Sequence, residues 1–472
     1  MKGTTETYRS YGNIFTSTAE IFRPKTIAEL KSLVAFCKKE GRKITVAGSF
    51  NSFDKQNSSK DVAISLQHFD SIQYEASNHT ITVGSGASWG NILDVVYDNK
   101  CALFTCITGS APTAGGTLSV HSNSTWTPSV GKEGNHCLSF DIMLTNGEIK
   151  TCSRTENQDL FYGAIAGFGI LGFFIQITYQ VFYIGSDYKI ALSATDYDSI
   201  DDIEGKLWVR KSKKLEQLKD VHSQSTLFYI DNGVPKFSVH ERFYEPIDKK
   251  ITGSKALFWG ATLASGLLRV APSLANRAIK ADAGRSYQKR NLTKGLHVVK
   301  EGTFWAQPDY IWTKKVGNTF KRLGYESKMY QNSYFIPEGD NKVTVFTKRI
   351  FELITEYQLH FFMFDVLYIP KDEPFVLSPS RNSGGFYVNT TFMDKTNKEN
   401  LLHCYELLNE LAYEMGGNLN LAKNCFIKPE LLEKMFADSL IEMVALKKKY
   451  DPDNLITSAF FEDYFPSHFP ID

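Results

Sequence analysis

The stretch from residue 24 to 41, PKTIAELKSLVAFCKKEG, sets apolar side chains at Ile27, Leu30, Val34 and Cys37 behind Thr26 and Glu29, and stops at Gly41. Spacings of three and four residues, with a capping box in front and a glycine behind, predict an amphipathic helix. The pattern then shortens to period two in KITVAG, VAISL and HTITVGSG, which read as strands. SWGNILDVVYDNK returns to helical spacing behind Ser88, a residue suited to cap a helix. Strands and helices therefore mix from the start, and the predicted class is α+β.

Two β-like runs flank Asn146-Gly147 in LSFDIMLTNGEIKTCS, the strongest short-range signal for a hairpin. NQDLFYGAIAGFGILGFFIQITYQVFYI passes from a glycine-punctuated segment into a β-branched and aromatic strand ending near Ile184, where a first domain boundary is placed. Residues 185–427 alternate strands and helices, ending in a helix with apolar residues at Leu401, Tyr405, Leu408 and Ala412. Beyond 428, Pro429 opens a helix and three lysines precede an Asp451-Pro452 stop, which predicts two helices and a closing strand.

Composition narrows the options. The 472 residues, 42% of them apolar, suffice for two or three cores. Fifty-three basic against 52 acidic side chains leave a net charge of +1, without the broad positive footprint of a nucleic-acid partner. Seven cysteines (Cys37, Cys101, Cys106, Cys137, Cys152, Cys404 and Cys425) form no CxxC pair and no metal-type spacing, so free thiols in a reducing compartment and no metal site are expected. The polar N-terminus lacks a signal-peptide core and no run of about 18 apolar residues occurs, so the expected location is cytoplasmic. The apolar segment 255–280, with Trp259 and cations at both ends, is too short to span a bilayer. It fits a buried or domain-bridging helix ending at Pro272, or a membrane-surface helix.

Chemistry enters through a few polar residues in apolar settings. VAGSFNSFD carries a lone Gly48 after a strand-like run and lacks the GxGxxG of a nicotinamide-type fold. The region 101–150 is rich in Gly, Ser and Thr, as loops around a ligand are. Gln331 and Ser333, like Tyr387 and Asn389, stand two apart along strands and so share a face. Such faces suit a polyol or sugar, and half-exposed sheets are polar for no special reason too. Lys423 in LNLAKN is either a solvated lysine or a functional one.

Taken in order, VAGSFNSFD, GSAPTAGGTLSVHSNS, SVGKEGNHCLSFDIMLTNGEI and NQDLFYGAIAGFGILGFFIQIT resemble the FAD domain of the vanillyl-alcohol-oxidase (PCMH-type) flavoenzymes. YQNSYFIP, GGFYVNTTF, GGNLNLAKNCF and KKYDPDNLITS are similar to segments of the decaprenylphosphoryl-ribose oxidases. The His-Trp-x-Lys signature of aldonolactone oxidases is absent near the C-terminus. The resemblance implies a two-domain PCMH-type FAD-binding fold: an FAD domain over 1–184, an α+β substrate domain with an antiparallel sheet over 185–427, and a segment 428–472 returning to the FAD domain.

It further implies that FAD is held by Ala47, Gly48, Ser49, Phe50, Asn51, Ser52, Phe53, Gly109, Ser110, Thr113, Gly115, Gly116, His121, Ser122, Asn135 and Ile177. The glycines let backbone N–H groups approach the diphosphate. Many members attach flavin to a histidine at or beside Asn51, so attachment here is expected to be non-covalent. Lys423, His121, Gln331 and Asn389 are the implied catalytic residues, with Lys423 as proton acceptor from the substrate hydroxyl.

Four positions depart from the pattern: Tyr387 replaces a cysteine, Leu367 a lysine, and Phe53 and Asn420 tyrosines. The expected activity is oxidation of a secondary alcohol, on a sugar or lipid-phosphate-linked sugar, to a ketone by hydride transfer to FAD. A separate nicotinamide-dependent reductase would then be a partner, and 255–280 a peripheral membrane contact. The alternatives are an alditol or aldonolactone-type oxidase using O2, and a flavin-binding protein without turnover.

Overall fold

A computed structural model of the chain describes residues 3–103, 110–185, 188–207, 221–246, 301–303, 328–393 and 396–469. Gly109 and the segment 255–280 lie outside them. The fold is α+β. Its first sheet has the order β1-β2-β4-β3, from β1 (Thr4–Arg9), β2 (Thr16–Phe22), β3 (Ile44–Ala47) and β4 (Val62–Ser65). Between β2 and β3 runs the predicted helix α1 (Ile27–Lys39), capped by Thr26 Oγ1 accepting from Glu29 N–H. The Glu29 carboxylate reaches back to Lys25 N–H rather than to that of Thr26. The buried stripe is Leu30, Leu33, Val34 and Cys37; Ile27, in the first turn, is 37% exposed. Burying a side chain of the Leu or Val class contributes about 1.5–3 kcal/mol.

The second sheet, β5-β6-β10-β8-β9, is antiparallel throughout. It uses β5 (Ile72–Glu75), β6 (Thr80–Gly84), β8 (Cys137–Met143), β9 (Ile149–Ser153) and β10 (Phe173–Gln180), with the short β7 (Cys101–Ala102) pairing β11 (Phe182–Tyr183) beside it. The β8–β9 hairpin turns where predicted, and Gly147 takes a φ of 81°, which favours glycine. Helices α2 (Trp89–Asp98), α3 (Ala114–Ser119), α4 (Thr127–Val130), α5 (Glu133–His136) and α6 (Gln158–Ala164) fill the connections.

A third sheet, β13-β14-β12-β15, comprises β12 (Tyr188–Tyr197), β13 (His222–Asp231), β14 (Val234–Pro246) and β15 (Glu301–Thr303), with α7 (Ile203–Lys206) between β12 and β13. The fourth, β17-β18-β16-β19, carries most of the candidate chemistry. Its strands are β16 (Met329–Pro337), β17 (Phe361–Ile369), β18 (Gly385–Met393) and β19 (Asn418–Leu419). Strand alternation divides it into two faces. Tyr334, Ile336, Phe364, Val366, Phe386, Val388 and Phe392 enter the main core with Phe346, Ile350 and Phe351 of α8 (Lys342–Glu356) and Tyr405 and Leu408 of α9 (Lys398–Glu414). The odd-numbered residues of β16 and β18 take the opposite face.

The C-terminal part departs from expectation. Helices α10 (Pro429–Met435) and α11 (Ala437–Tyr450) form, but the closing strand shrinks to one parallel bridge, Ile44 with Ile456, followed by helix α12 (Ala459–Tyr464). Phe460, Phe461 and Tyr464 are buried, so the apolar run serves core packing as a helix. Of the three lysines at the end of α11, Lys448 and Lys449 are exposed whereas Lys447 is buried. Its Nζ lies 2.5 Å from Asp451 and donates to the carbonyls of Ile170, at 3.0 Å, and of Ile456. Asp451 in turn accepts from Leu455 and Ile456 N–H. Among the described residues no helix is long and apolar enough to cross a membrane, and the six described cysteines are buried and free.

Breaking a buried ion pair by removing one partner costs about 3–5 kcal/mol. Lys447→Met should therefore lower unfolding stability by about that amount in denaturant titrations, and Lys447→Met with Asp451→Asn should lie closer to wild type than the sum of the single changes.

Candidate functional site

The loop from Gly48 to Phe53 leaves β3 at the edge of the first sheet. Ala47 C=O accepts from Leu66 N–H at 2.9 Å, Gly48 C=O from Ser65 Oγ at 2.8 Å, and Ser49 Oγ donates to Ala111 C=O at 2.6 Å. A Cβ on Gly48 would fall 2.2 Å from Thr113 Oγ1, and one on Gly115 2.8 Å from Ser85 Cβ. The glycine at 48 therefore permits loop-to-loop packing against the residue that caps α3. Phe50 adopts a φ of 55°, and the backbone N–H groups of Ser49, Phe50, Ser52 and Phe53 meet no acceptor among the described residues. Unmet N–H donors on both sides of a left-handed residue suit an anion such as a diphosphate.

Other expected cofactor residues surround this loop or support it. Ser110 C=O accepts from Gly90 N–H, and Thr113 Oγ1 from Gly116 N–H at 3.4 Å. Ser122 bonds to Thr117 C=O, and Asn135 Oδ1 takes Lys132 N–H at 2.9 Å. Ile177 is fully buried in β10, two residues from Ile175, whose carbonyl accepts from Ser85 N–H. Asn51 directs its amide to Ser49 C=O at 3.1 Å and to Ser49 Oγ.

The polar face of the fourth sheet is built by cross-strand register. Gln331 pairs with Thr391, Ser333 with Asn389 and Asp365 with Asn389, giving adjacent polar rows. The next row is Phe335, Tyr387 and Leu367, an apolar cluster with Ile369. Asn389 Nδ2 donates to Asp365 Oδ2 at 2.8 Å, and Gln331 Nε2 to Thr391 Oγ1 at 3.1 Å. Gln331 Oε1 and Ser333 Oγ are buried without a partner among the described residues.

Lys423 reaches this face from the turn after β19, its Nζ 4.0 Å from the ring centre of Phe53. Desolvation lowers its pKa to about 8, opposed by the nearby Asp365 carboxylate. Desolvation likewise raises Asp365 to about 6, against the Asn389 hydrogen bond and the Lys423 charge. The two groups thus sense one another without forming an ion pair. Asp365 was missed in the sequence, although a single carboxylate inside FFMFDVLYI is a signal: buried charges in apolar strands need a reason.

Two loops from opposite ends of the chain hold Lys423 in place. Asp54 is fully buried; its carboxylate accepts from Cys425 N–H at 2.8 Å, Lys55 N–H at 2.7 Å and the Tyr464 hydroxyl. Gln56 Nε2 donates to Leu421 C=O at 2.7 Å and Lys423 C=O at 3.3 Å. Asn424 Nδ2 donates to Phe53 C=O at 2.8 Å, and its Oδ1 accepts from Gln331 N–H.

His121 is not on the polar face. Its Nδ1 accepts from Gly134 N–H at 3.0 Å and its Nε2 lies 3.2 Å from Asp372 Oδ2, with both side chains 1% exposed. Desolvation and the neighbouring Lys132 lower its pKa, which favours a neutral ring. Lys132 Nζ pairs with Asp372 at 2.7 Å, donates to Ser378 at 2.7 Å and to the Tyr387 hydroxyl at 3.5 Å. Against its desolvation, Lys132 and His121 hold the Asp372 carboxyl well below the usual range. This network touches the functional sheet through Tyr387. Beside it, Glu133 is pushed by desolvation up to about 8 and accepts from Thr117 and Tyr179 hydroxyls at 2.9 and 2.6 Å. Nothing in SVGKEGNHC separates Lys132 and Glu133 from ordinary loop charges.

Comparison with known proteins identifies the domain that carries the cradle. Residues 18–153 match the family model described as FAD binding domain, so this part of the chain is an FAD-binding domain and FAD is its cofactor. A xylooligosaccharide oxidase from Thermothelomyces thermophilus is 28% identical over 39% of this chain and 38% of its own length. FAD-linked oxidoreductase azaL from Aspergillus niger is 28% identical over 36% of each chain. FAD-linked oxidoreductase fogF from Aspergillus ruber is 22% identical over 90% of this chain and 82% of its own. The chain thus spans less than two fifths of the first two relatives.

Gly48→Ala should reduce the flavin-to-protein ratio of the purified protein, because the added methyl meets Thr113 Oγ1. Adding Thr113→Ala should restore part of it; full FAD content in Gly48→Ala alone would argue that this contact does not shape the cradle.

Proposed function

We propose that the protein is an FAD-dependent oxidoreductase that converts a secondary CH–OH group of a sugar-like donor into a ketone. The observation that carries this reading is Lys423, desolvated above Phe53 of the cradle loop and facing Asp365 across a polar sheet face. On this reading residues 1–184 form the FAD domain, 185–427 the substrate domain, and 428–472 return to the first.

When bound, FAD supplies the acceptor for the hydride and its two electrons. The chain does the rest. A donor hydroxyl seats between Asp365 and Lys423, with Asn389 holding the carboxylate. At neutral pH the carboxylate, with a pKa of about 6, is ionised, and the ammonium, at about 8, is largely protonated. Asp365 therefore takes the hydroxyl proton as the C–H bond breaks and the C=O bond forms, while Lys423 donates a hydrogen bond to the oxygen. This assigns Lys423 the donor role at neutral pH, in place of the acceptor role expected from sequence. Gln331 and Ser333 orient the remaining hydroxyls, and His121 acts indirectly, by fixing Gly134 and Asp372.

FAD is held without a covalent bond, since Asn51 offers no nucleophile and its amide is engaged within the loop. A phosphoryl-linked ribose as donor would require a separate nicotinamide-dependent reductase to complete an epimerisation; a free alditol or lactone would require reoxidation by O2.

Anaerobic flavin bleaching by a donor sugar, followed against pH, checks the roles. The wild-type rate should rise as pH passes about 6, where Asp365 ionises, and fall above about 8, where Lys423 loses its proton. Lys423→Ala should retain FAD and slow reduction about 100-fold or more; an unchanged rate would remove Lys423 from the chemistry. Acid denaturation should release all flavin into the supernatant, and flavin remaining on the precipitated chain would overturn non-covalent binding.

A further inference from the structure

Charge and hydrogen-bonding capacity on the polar face restrict the donor, resting on the function proposed above. Asp365 stands in the central polar row, beside Ser333 and Asn389, and is the one carboxylate among the described residues of that face. Lys423 is the one described ammonium aimed at it, and its charge is offset by Asp365. The other buried cation at this sheet, Lys132, is committed to Asp372 at 2.7 Å. The described rows of that face in register with Asp365 carry no cation of their own to balance a phosphate or carboxylate brought by the donor. Neutral groups are in demand instead. Gln331, 6% exposed, has an unpartnered Oε1 that needs an O–H or N–H donor, and Ser333, fully buried, has an unpartnered hydroxyl. Buried polar atoms left in this state destabilise the fold unless a ligand completes them.

We propose that the donor is an uncharged, hydroxyl-rich sugar, and that Asp365 is the residue that excludes anionic donors such as phosphorylated or carboxylated sugars. A neutral sugar presents hydroxyls to Gln331 and Ser333 and can lay its C–H face on the neighbouring row of Phe335, Tyr387 and Leu367. An anion set there meets the Asp365 carboxylate in a partly desolvated site, where like charges repel strongly.

The experiment uses the FAD-loaded protein with D-ribose, D-xylose, D-glucose and cellobiose, each compared anaerobically with its phosphate ester or the corresponding aldonic or uronic acid. For the best neutral sugar, kcat/KM for flavin reduction should exceed that of its anionic counterpart by at least about tenfold. Asp365→Asn should slow both and shrink the ratio about tenfold, a change that loss of proton transfer alone would not produce. Should Asp365→Asn reduce too slowly to follow, dissociation constants of the same pair, read from perturbation of the flavin spectrum, supply the ratio. An anionic sugar that reduces the flavin as well as its neutral counterpart, or a ratio unmoved by Asp365→Asn, overturns this assignment and leaves the oxidoreductase reading intact. Flavin that no sugar, alcohol or anion reduces sinks both.

Discussion

The candidate site depends on one buried contact, the seating of the 421–425 turn on the 53–57 segment. Asp54 has no side-chain cation in contact; two backbone N–H groups and the Tyr464 hydroxyl hold its carboxylate inside the fold. Burial raises its pKa to about 6, the direction expected when desolvation outweighs the hydrogen bonds. Gln56 and Asn424 add bonds in both directions across the same seam. Lys423 and Phe53 are carried by the two sides of that seam, so their 4.0 Å contact follows from it. Without the clamp, the ammonium would sit on a free turn, exposed to water and near its ordinary pKa.

A second constraint, strand alternation, places the remaining groups. Because β16, β17 and β18 are held in register, one face is committed to the helices α8 and α9 and the other collects Gln331, Ser333, Asp365 and Asn389. The aromatic packing on the helix side, such as Tyr334 against Phe346 with ring centres 5.0 Å apart, fixes the sheet against sliding. A shift of one residue along any of these strands would exchange polar face for core. Rigid packing on one side therefore produces a pre-arranged polar surface on the other, which is how a folded core contributes to positioning a donor.

Local patterns were legible in the sequence, and long-range ones were not. The helix behind Thr26, the turn at Asn146-Gly147 and the helix of Leu401 and Tyr405 follow from neighbouring residues alone, and each forms. The resemblance brought Lys423, Gln331 and Asn389 to attention, and the structure gathers them at one face. The closing strand failed because β3 takes only one bridge from Ile456 and the aromatic residues after it pack better as a helix. The apolar stripe of α1 is buried only from Leu30 onward, and Ile27 in its first turn is 37% exposed. Asp365, and the pairing of Lys132 with Asp372, depend on contacts between segments far apart in the chain, and no periodicity encodes them.

The central claim is that Asp365 and Lys423 act on the same hydroxyl. A double-mutant cycle on the rate of anaerobic flavin reduction tests it directly, using Lys423→Ala, Asp365→Asn and both together. If the two side chains serve one hydroxyl, the double variant should be no slower than about the slower single variant, since removing either disables the shared step. Rate losses that multiply in the double variant would show two independent contributions and contradict the account.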